Sequence, residues 1–248
     1  MTQALLALAL RRADDALVLG HRLSEWTGHA PMLEEELALG NLALDLIGQA
    51  RALYALAADL ENAGRDEDAL AYLRTEREYS NLLLLELPKG DFAVTIVRQF
   101  LYASFADRWW RASMASADPR LAAIAAKAEK ETAYHIRHSA EWLIRLGDGT
   151  PESHARAQAA LDRLWPYTGE MFEPEDPDLI ASNICADPAT LRTAWNQDVA
   201  AVLTQATLQR PRDGWMQSGG RAGRHSEHLG HMLAEMQHLQ RSYPGAKW

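Results

Sequence analysis

The sequence predicts an all-α protein: a four-helix bundle over about residues 1–148, with a helical extension over about 149–248, forming one domain. Three observations predict it. Ala and Leu, both strong helix formers, dominate a chain that is 48% hydrophobic, while Val, Ile and aromatic residues are too sparse for an extensive sheet. Asp-Pro and Thr-Pro pairs recur where helices should begin. Polar residues recur at helical spacing inside otherwise apolar segments.

Periodicity and punctuation place helices near 3–26, 31–63, 67–86, 91–117, 119–147, 151–172, 188–209 and 226–241. Pro31 followed by Glu34, Glu35 and Glu36 is an acidic helix start that suits the macrodipole. Asp118-Pro119, Thr150-Pro151 and Asp187-Pro188 each pair an N-cap residue with proline at the first helical position. Gly147-Asp148-Gly149 reads as a helix stop. In the second helix, Leu39, Leu42, Leu46, Leu53, Leu56 and Leu60 form one apolar stripe, and Leu37 and Leu44 lie on another side. A helix apolar on two sides is expected to be buried in a bundle.

Composition also excludes. A net charge of −9 argues against general nucleic-acid binding, which needs a basic face. The single cysteine, Cys185, rules out an intrachain disulfide and a cysteine-rich zinc site. The apolar run near Met1 precedes Arg11-Arg12, the reverse of a secretory signal, and no stretch is apolar enough to span a bilayer. A soluble protein of the cytoplasm is the expectation, with no membrane or nucleic-acid partner.

Polar rows inside helical bundles are where metal sites are built. A carboxylate-bridged di-iron site takes one Glu from each of two helices and Glu-x-x-His from each of the other two. The second helix carries Asn41, Asp45 and Gln49 in a row, but Gly48 stands three residues after Asp45, where histidine belongs. The helix at 119–147 carries Glu131, His135, His138 and Trp142 on one face, but Tyr134 stands three residues after Glu131. The first helix offers Glu25 or Asp15 and the one at 91–117 offers Asp107. Asp45, Glu131 and His135 are therefore the metal candidates if a site exists. The favoured reading is a core of buried ion pairs and hydrogen bonds, because two nitrogen ligands in register are missing.

Three further clusters stand out. His228, His231, Glu235 and His238 share a face of the last helix, with His225 just upstream; such a face can bind a divalent ion, but a solvated polar face is the favoured reading. Gly219-Gly220-Arg221-Ala222-Gly223-Arg224 precedes a helix start, so Arg221 and Arg224 could contact an anion or a partner. Trp109-Trp110, flanked by arginines, fits either a core or a partner surface.

Several segments carry a family resemblance. Gly28-His29-Ala30-Pro31, Leu44-Asp45-Leu46-Ile47-Gly48-Gln49-Ala50-Arg51, Tyr134-His135-Ile136-Arg137, Glu141-Trp142-Leu143-Ile144-Arg145-Leu146-Gly147-Asp148-Gly149-Thr150 and His225-Ser226-Glu227-His228-Leu229-Gly230 resemble the C subunits of bacterial phenylacetyl-CoA oxygenases (epoxidases). The end, Met232-Leu233-Ala234-Glu235-Met236-Gln237 and Pro244-Gly245, fits as well. The resemblance implies a ferritin-like fold and a place in a multicomponent monooxygenase that epoxidises the ring of phenylacetyl-CoA in aerobic phenylacetate catabolism. It implies that a homologous catalytic A subunit holds the di-iron centre, that a reductase supplies electrons, and that the present chain is structural, with no cofactor or catalytic residue of its own. The alternative is a di-metal oxygenase with an atypical site at Asp45, Glu131 and His135.

Overall fold

The computed structural model describes residues 1–246, and among them every regular element is helical. The principal helices are α1 (Thr2–Ser24), α2 (Leu33–Glu61), α3 (Glu67–Tyr72), α4 (Leu83–Glu86), α5 (Phe92–Ser113), α6 (Pro119–Gly147), α7 (Pro151–Leu164), α8 (Pro177–Ala181), α9 (Pro188–Gln205), α10 (Glu227–Met236) and α11 (His238–Ser242). The predicted caps do their work. Asp118 accepts from the backbone N–H of Arg120 and Leu121, Thr150 from that of Ser153, and Asp187 from that of Ala189, each with proline at the start of the helix that follows. Asp91 caps α5 in the same way through Val94.

The chain forms two compact units: Met1–Glu25, Leu39–Pro88 and Ser218–Trp248 make one, and Trp26–Ala38 and Lys89–Gln217 the other. The second unit is built around α5, whose buried residues from Ala93 to Ala106 cover every side of the helix. Around it Phe105, Phe172, Trp195 and Trp165 form a chain of aromatic contacts at 5.2–5.7 Å. Trp195 donates its indole N–H to the Leu101 carbonyl at 3.1 Å, so its polar end is satisfied in the core. Trp109 and Trp110 are both buried, with ring centroids 4.7 Å apart, so this pair is core. At the end of α6 the chain passes too close to Gly147 for a side chain: a Cβ there would lie 2.1 Å from the Ala206 carbonyl oxygen.

In the first unit Leu39, Leu42, Leu46, Leu53 and Leu56 of the predicted stripe are buried as expected, and Leu60 at its end is half-buried. The second stripe is not. Leu44 stands 67% exposed, and on the part of α2 that belongs to the second unit Leu33 and Leu37 stand 69% and 61% exposed.

Two helices predicted as continuous are broken, for physical reasons. The segment 67–86 holds α3, one 3-10 turn (Glu76–Glu78) and the short α4. Between them the backbone leaves the helix, and the N–H groups of Ser80 and Leu82 donate to Asp14 and Asp15, both at 2.8 Å. Within a helix those N–H groups would be spent on the preceding turn. The segment 226–241 breaks at Gln237, whose buried amide donates to the Ala71 and Arg74 carbonyls at 3.2 and 2.9 Å. Two predicted helices also stop early: α7 gives way to 3-10 turns after Leu164, and α9 ends at Gln205.

Candidate functional site

Adjacent carboxylates in the middle of α1 organise the first unit. Asp14 and Asp15 are wholly buried, as is Glu86 of α4. A buried carboxylate needs both a counter-charge and hydrogen bonds, and each of the three has them. Asp14 accepts from the Tyr54 hydroxyl at 2.6 Å, from the Ser80 N–H and hydroxyl, and from the Arg74 guanidinium. Asp15 accepts from Arg221 through two contacts of 2.9 and 2.8 Å. Glu86 accepts from His225 Nδ1 at 2.7 Å, the Ser226 N–H at 2.6 Å and the Asn81 amide at 2.9 Å.

The electrostatics follow. Burial, with the Asp14 charge beside it, pushes the Tyr54 hydroxyl far above its ordinary range, so it stays a neutral donor. Burial disfavours the Arg74 charge, but Asp14 and the two tyrosines beside it outweigh that, and its pKa is raised. Burial likewise opposes a charge on His225, and its bonds to Glu86 and the Tyr79 carbonyl, with the nearby carboxylates, outweigh the opposition and raise its pKa. Arg22 completes the group, donating to the Glu86 carbonyl at 2.6 Å and to Glu25 at 2.5 Å.

The predicted metal candidates are divided between the two units. Asp45 is half-buried in the first unit, whereas Glu131 and His135 belong to the second. Glu131 pairs with Lys127 at 3.5 Å. His135 is buried. Its neighbour on the same face, His138, pairs with Glu35 at 2.9 Å. Glu25 is engaged by Arg22, Asp15 by Arg221, and Asp107 by Arg111 at 2.8 Å. At Gly48 a Cβ would meet nothing within 4 Å, and Tyr134 is exposed. Among the described residues no group of three or more His, Cys, Asp or Glu side chains is set together as a metal would need. By residue type, Gly48 and Tyr134 leave both carboxylate–histidine pairs of a carboxylate-bridged di-iron centre incomplete.

The basic loop also differs from a free anion site. Arg221 spends its guanidinium on Asp15 and on the Arg11 and Ser80 carbonyls, so its charge is neutralised inside the unit. Arg224 is exposed and lines a cleft of about 600 Å³ with Glu76, Arg77 and Glu227, where two arginines face two glutamates. His228, His231 and Glu235 line a second cleft of about 500 Å³ together with His21. Burial lowers the His21 pKa, against the pull of Glu25.

Sequence reasoning missed Asp14, Glu86, Arg74 and the Glu35–His138 pair. A signal was present for the first: Asp14-Asp15 stands directly before the apolar run Ala16-Leu17-Val18-Leu19 on a helix that is apolar again from Leu5 to Leu10, and paired carboxylates in such a setting demand buried partners.

No helix among the described residues is long and apolar enough to cross a membrane. The sequence matches the family of phenylacetic acid catabolic proteins over residues 1–248. It is also 51% identical over 250 aligned residues to the C subunit of the 1,2-phenylacetyl-CoA epoxidase of Escherichia coli (strain K12), an alignment covering 98% of this chain and 99% of that protein. The chain therefore belongs to the phenylacetic acid catabolic protein family, and its all-helical architecture is the ferritin-like fold of that family.

Proposed function

We propose that this member of the phenylacetic acid catabolic protein family is the non-catalytic, structural subunit of a phenylacetyl-CoA 1,2-epoxidase in the aerobic catabolism of phenylacetate. On this reading it pairs in the cytoplasm with a homologous A subunit that holds the di-iron centre, and a reductase delivers electrons to that partner. The chain itself carries no cofactor and no catalytic residue.

One observation carries the reading: the fold's usual metal positions hold Gly48 and Tyr134, while Leu33, Leu37 and Leu44 of α2 stand exposed. Leu33, Leu37 and Leu44 recur at spacings of four and seven, so they share one side of that helix. Gly40 and Gly48 lie along the same helix with open space where a Cβ would stand, which lets another helix approach closely. Covering a leucine side chain is worth at most about 1.5–3 kcal/mol, so three of them supply a useful part of a stable interface.

Co-expressing the chain with its catalytic partner and measuring association tests the reading. The wild-type chain is expected to co-purify with that partner, and the double variant Leu37→Glu/Leu44→Glu to lose it while remaining folded. Unimpaired association of the folded double variant would remove α2 from the interface, and failure of the wild type to associate at all would remove the structural role.

A further inference from the structure

The segment from Ser218 to the C-terminus belongs to the first unit, 130 residues along the chain from Pro88, the unit's preceding residue. Two ion pairs tie its first part there, Arg221 on Asp15 and His225 on Glu86, and Gln237 and Arg241 bond to the Arg74 carbonyl farther along. The turn between the two ion pairs needs Gly223, which has a φ of 70° and so little room that a Cβ would lie 2.4 Å from the Arg77 carbonyl oxygen.

His225 differs from Arg221 because its charge is conditional. Its side chain is 2% exposed and that of Glu86 0%. Both ring nitrogens face acceptors: Nδ1 lies 2.7 Å from Glu86 Oε2, and Nε2 lies 2.9 Å from the Tyr79 carbonyl oxygen. A carbonyl only accepts, so Nε2 must carry a proton. Glu86 already accepts from the Ser226 N–H and the Asn81 amide, as an ionised carboxylate does, so Nδ1 must carry one too. With Glu86 ionised, the contacts are complete only with an imidazolium. A neutral ring would turn a bare lone pair toward one of the two oxygens.

We propose that the C-terminal segment is held by a proton-dependent latch at His225, closed when the imidazole carries both protons and loosened when it gives one up. The surroundings support the closed form. Asp14 and Asp15 of α1 add negative charge but are balanced by Arg74 and Arg221. Arg22 of α1 meets the Glu86 backbone carbonyl, not its carboxylate. On the outer side, Glu76, Arg77, Arg224 and Glu227 line the cleft beside the ring, with two charges of each sign. The Glu86 carboxylate is thus left as the counter-ion of His225.

The sign is fixed by linkage. The closed state holds the proton more tightly than a free imidazole does, so closure is fully favoured below the ordinary value of 6.5 and weakens as pH rises through the raised value. Above that value no further loss follows.

Two measurements on the full chain test this. In long-range 1H–15N spectra, the His225 ring is expected to titrate above an exposed imidazole, and titration at or below one would overturn the latch. In amide hydrogen exchange corrected for intrinsic rates, protection across 219–236 should fall by more than about threefold between pH 6 and pH 9, while α5 stays unchanged. His225→Gln should flatten that dependence. An equal fall in His225→Gln, or a flat wild type, would also overturn it. The ring titration needs no variant, so it decides the matter even if His225→Gln fails to fold.

Discussion

Asp15 and Arg221 lie 206 positions apart and meet through two contacts of 2.9 and 2.8 Å, with the carboxylate wholly buried. Residues assigned by sequence to a bundle core and to a late extension are one electrostatic unit. Removing the arginine takes both short contacts from the buried carboxylate and leaves it only the longer ion pair with Arg12 at 3.6 Å. Arg221→Ala is expected to cost about 3–5 kcal/mol of stability, measured by urea unfolding, whereas Arg224→Ala, at an exposed position, should stay within about 0.5 kcal/mol of wild type. Equal effects of the two substitutions would contradict the network.

The buried histidine on α6 differs from a metal ligand in a testable way. His138 is bound to Glu35 across the second unit. Glu35→Gln should destabilise the chain in urea unfolding, and added Fe(II) should leave the wild-type stability unchanged. Iron-dependent stabilisation would support the atypical oxygenase reading.

Glycine positions separate packing from surface. Gly147→Ala would drive a methyl against the Ala206 carbonyl and should cost about 1–3 kcal/mol. Gly48→Ala, in a helix with nothing nearby, should stabilise the isolated chain by about 0.5–1 kcal/mol, since glycine is the poorer helix former. Thermal unfolding of both variants checks the contrast.

The Asp118 cap gives an acid-side prediction. Its bond to Arg120 is the largest cause of its lowered pKa, with two backbone N–H bonds adding to it. A lowered pKa means that the stabilisation is present above the ordinary value of 3.8 and is lost as pH falls through the folded value. Asp118→Ala should cost about 1 kcal/mol at pH 7, and the gap to wild type should close at strongly acid pH.

The helices were legible wherever local chemistry decides them. Asp118-Pro119, Thr150-Pro151 and Asp187-Pro188 set starts that depend on the neighbouring residues alone. The breaks near Arg74 and at Gln237 were not legible, because distant groups make them: Asp14 and Asp15 in the first case, the Ala71 and Arg74 carbonyls in the second. Local periodicity across 67–86 carries no sign that two carboxylates far back in the chain will claim its backbone N–H groups. Leu37 and Leu44 were legible as apolar positions but were read as buried, since a hydrophobic pattern does not say whether its cover lies in the same chain. The gaps at Gly48 and Tyr134 were legible, because they depend only on which residue stands there.

Iron stoichiometry tests the structural role most directly. The chain is purified alone and in complex with the homologous catalytic partner, and iron per polypeptide and epoxidation of phenylacetyl-CoA with a reductase are measured in both. A structural chain shows no stoichiometric iron and no turnover in isolation, with both appearing in the complex and the iron assigned to the partner. Two irons per isolated chain together with turnover would contradict that role.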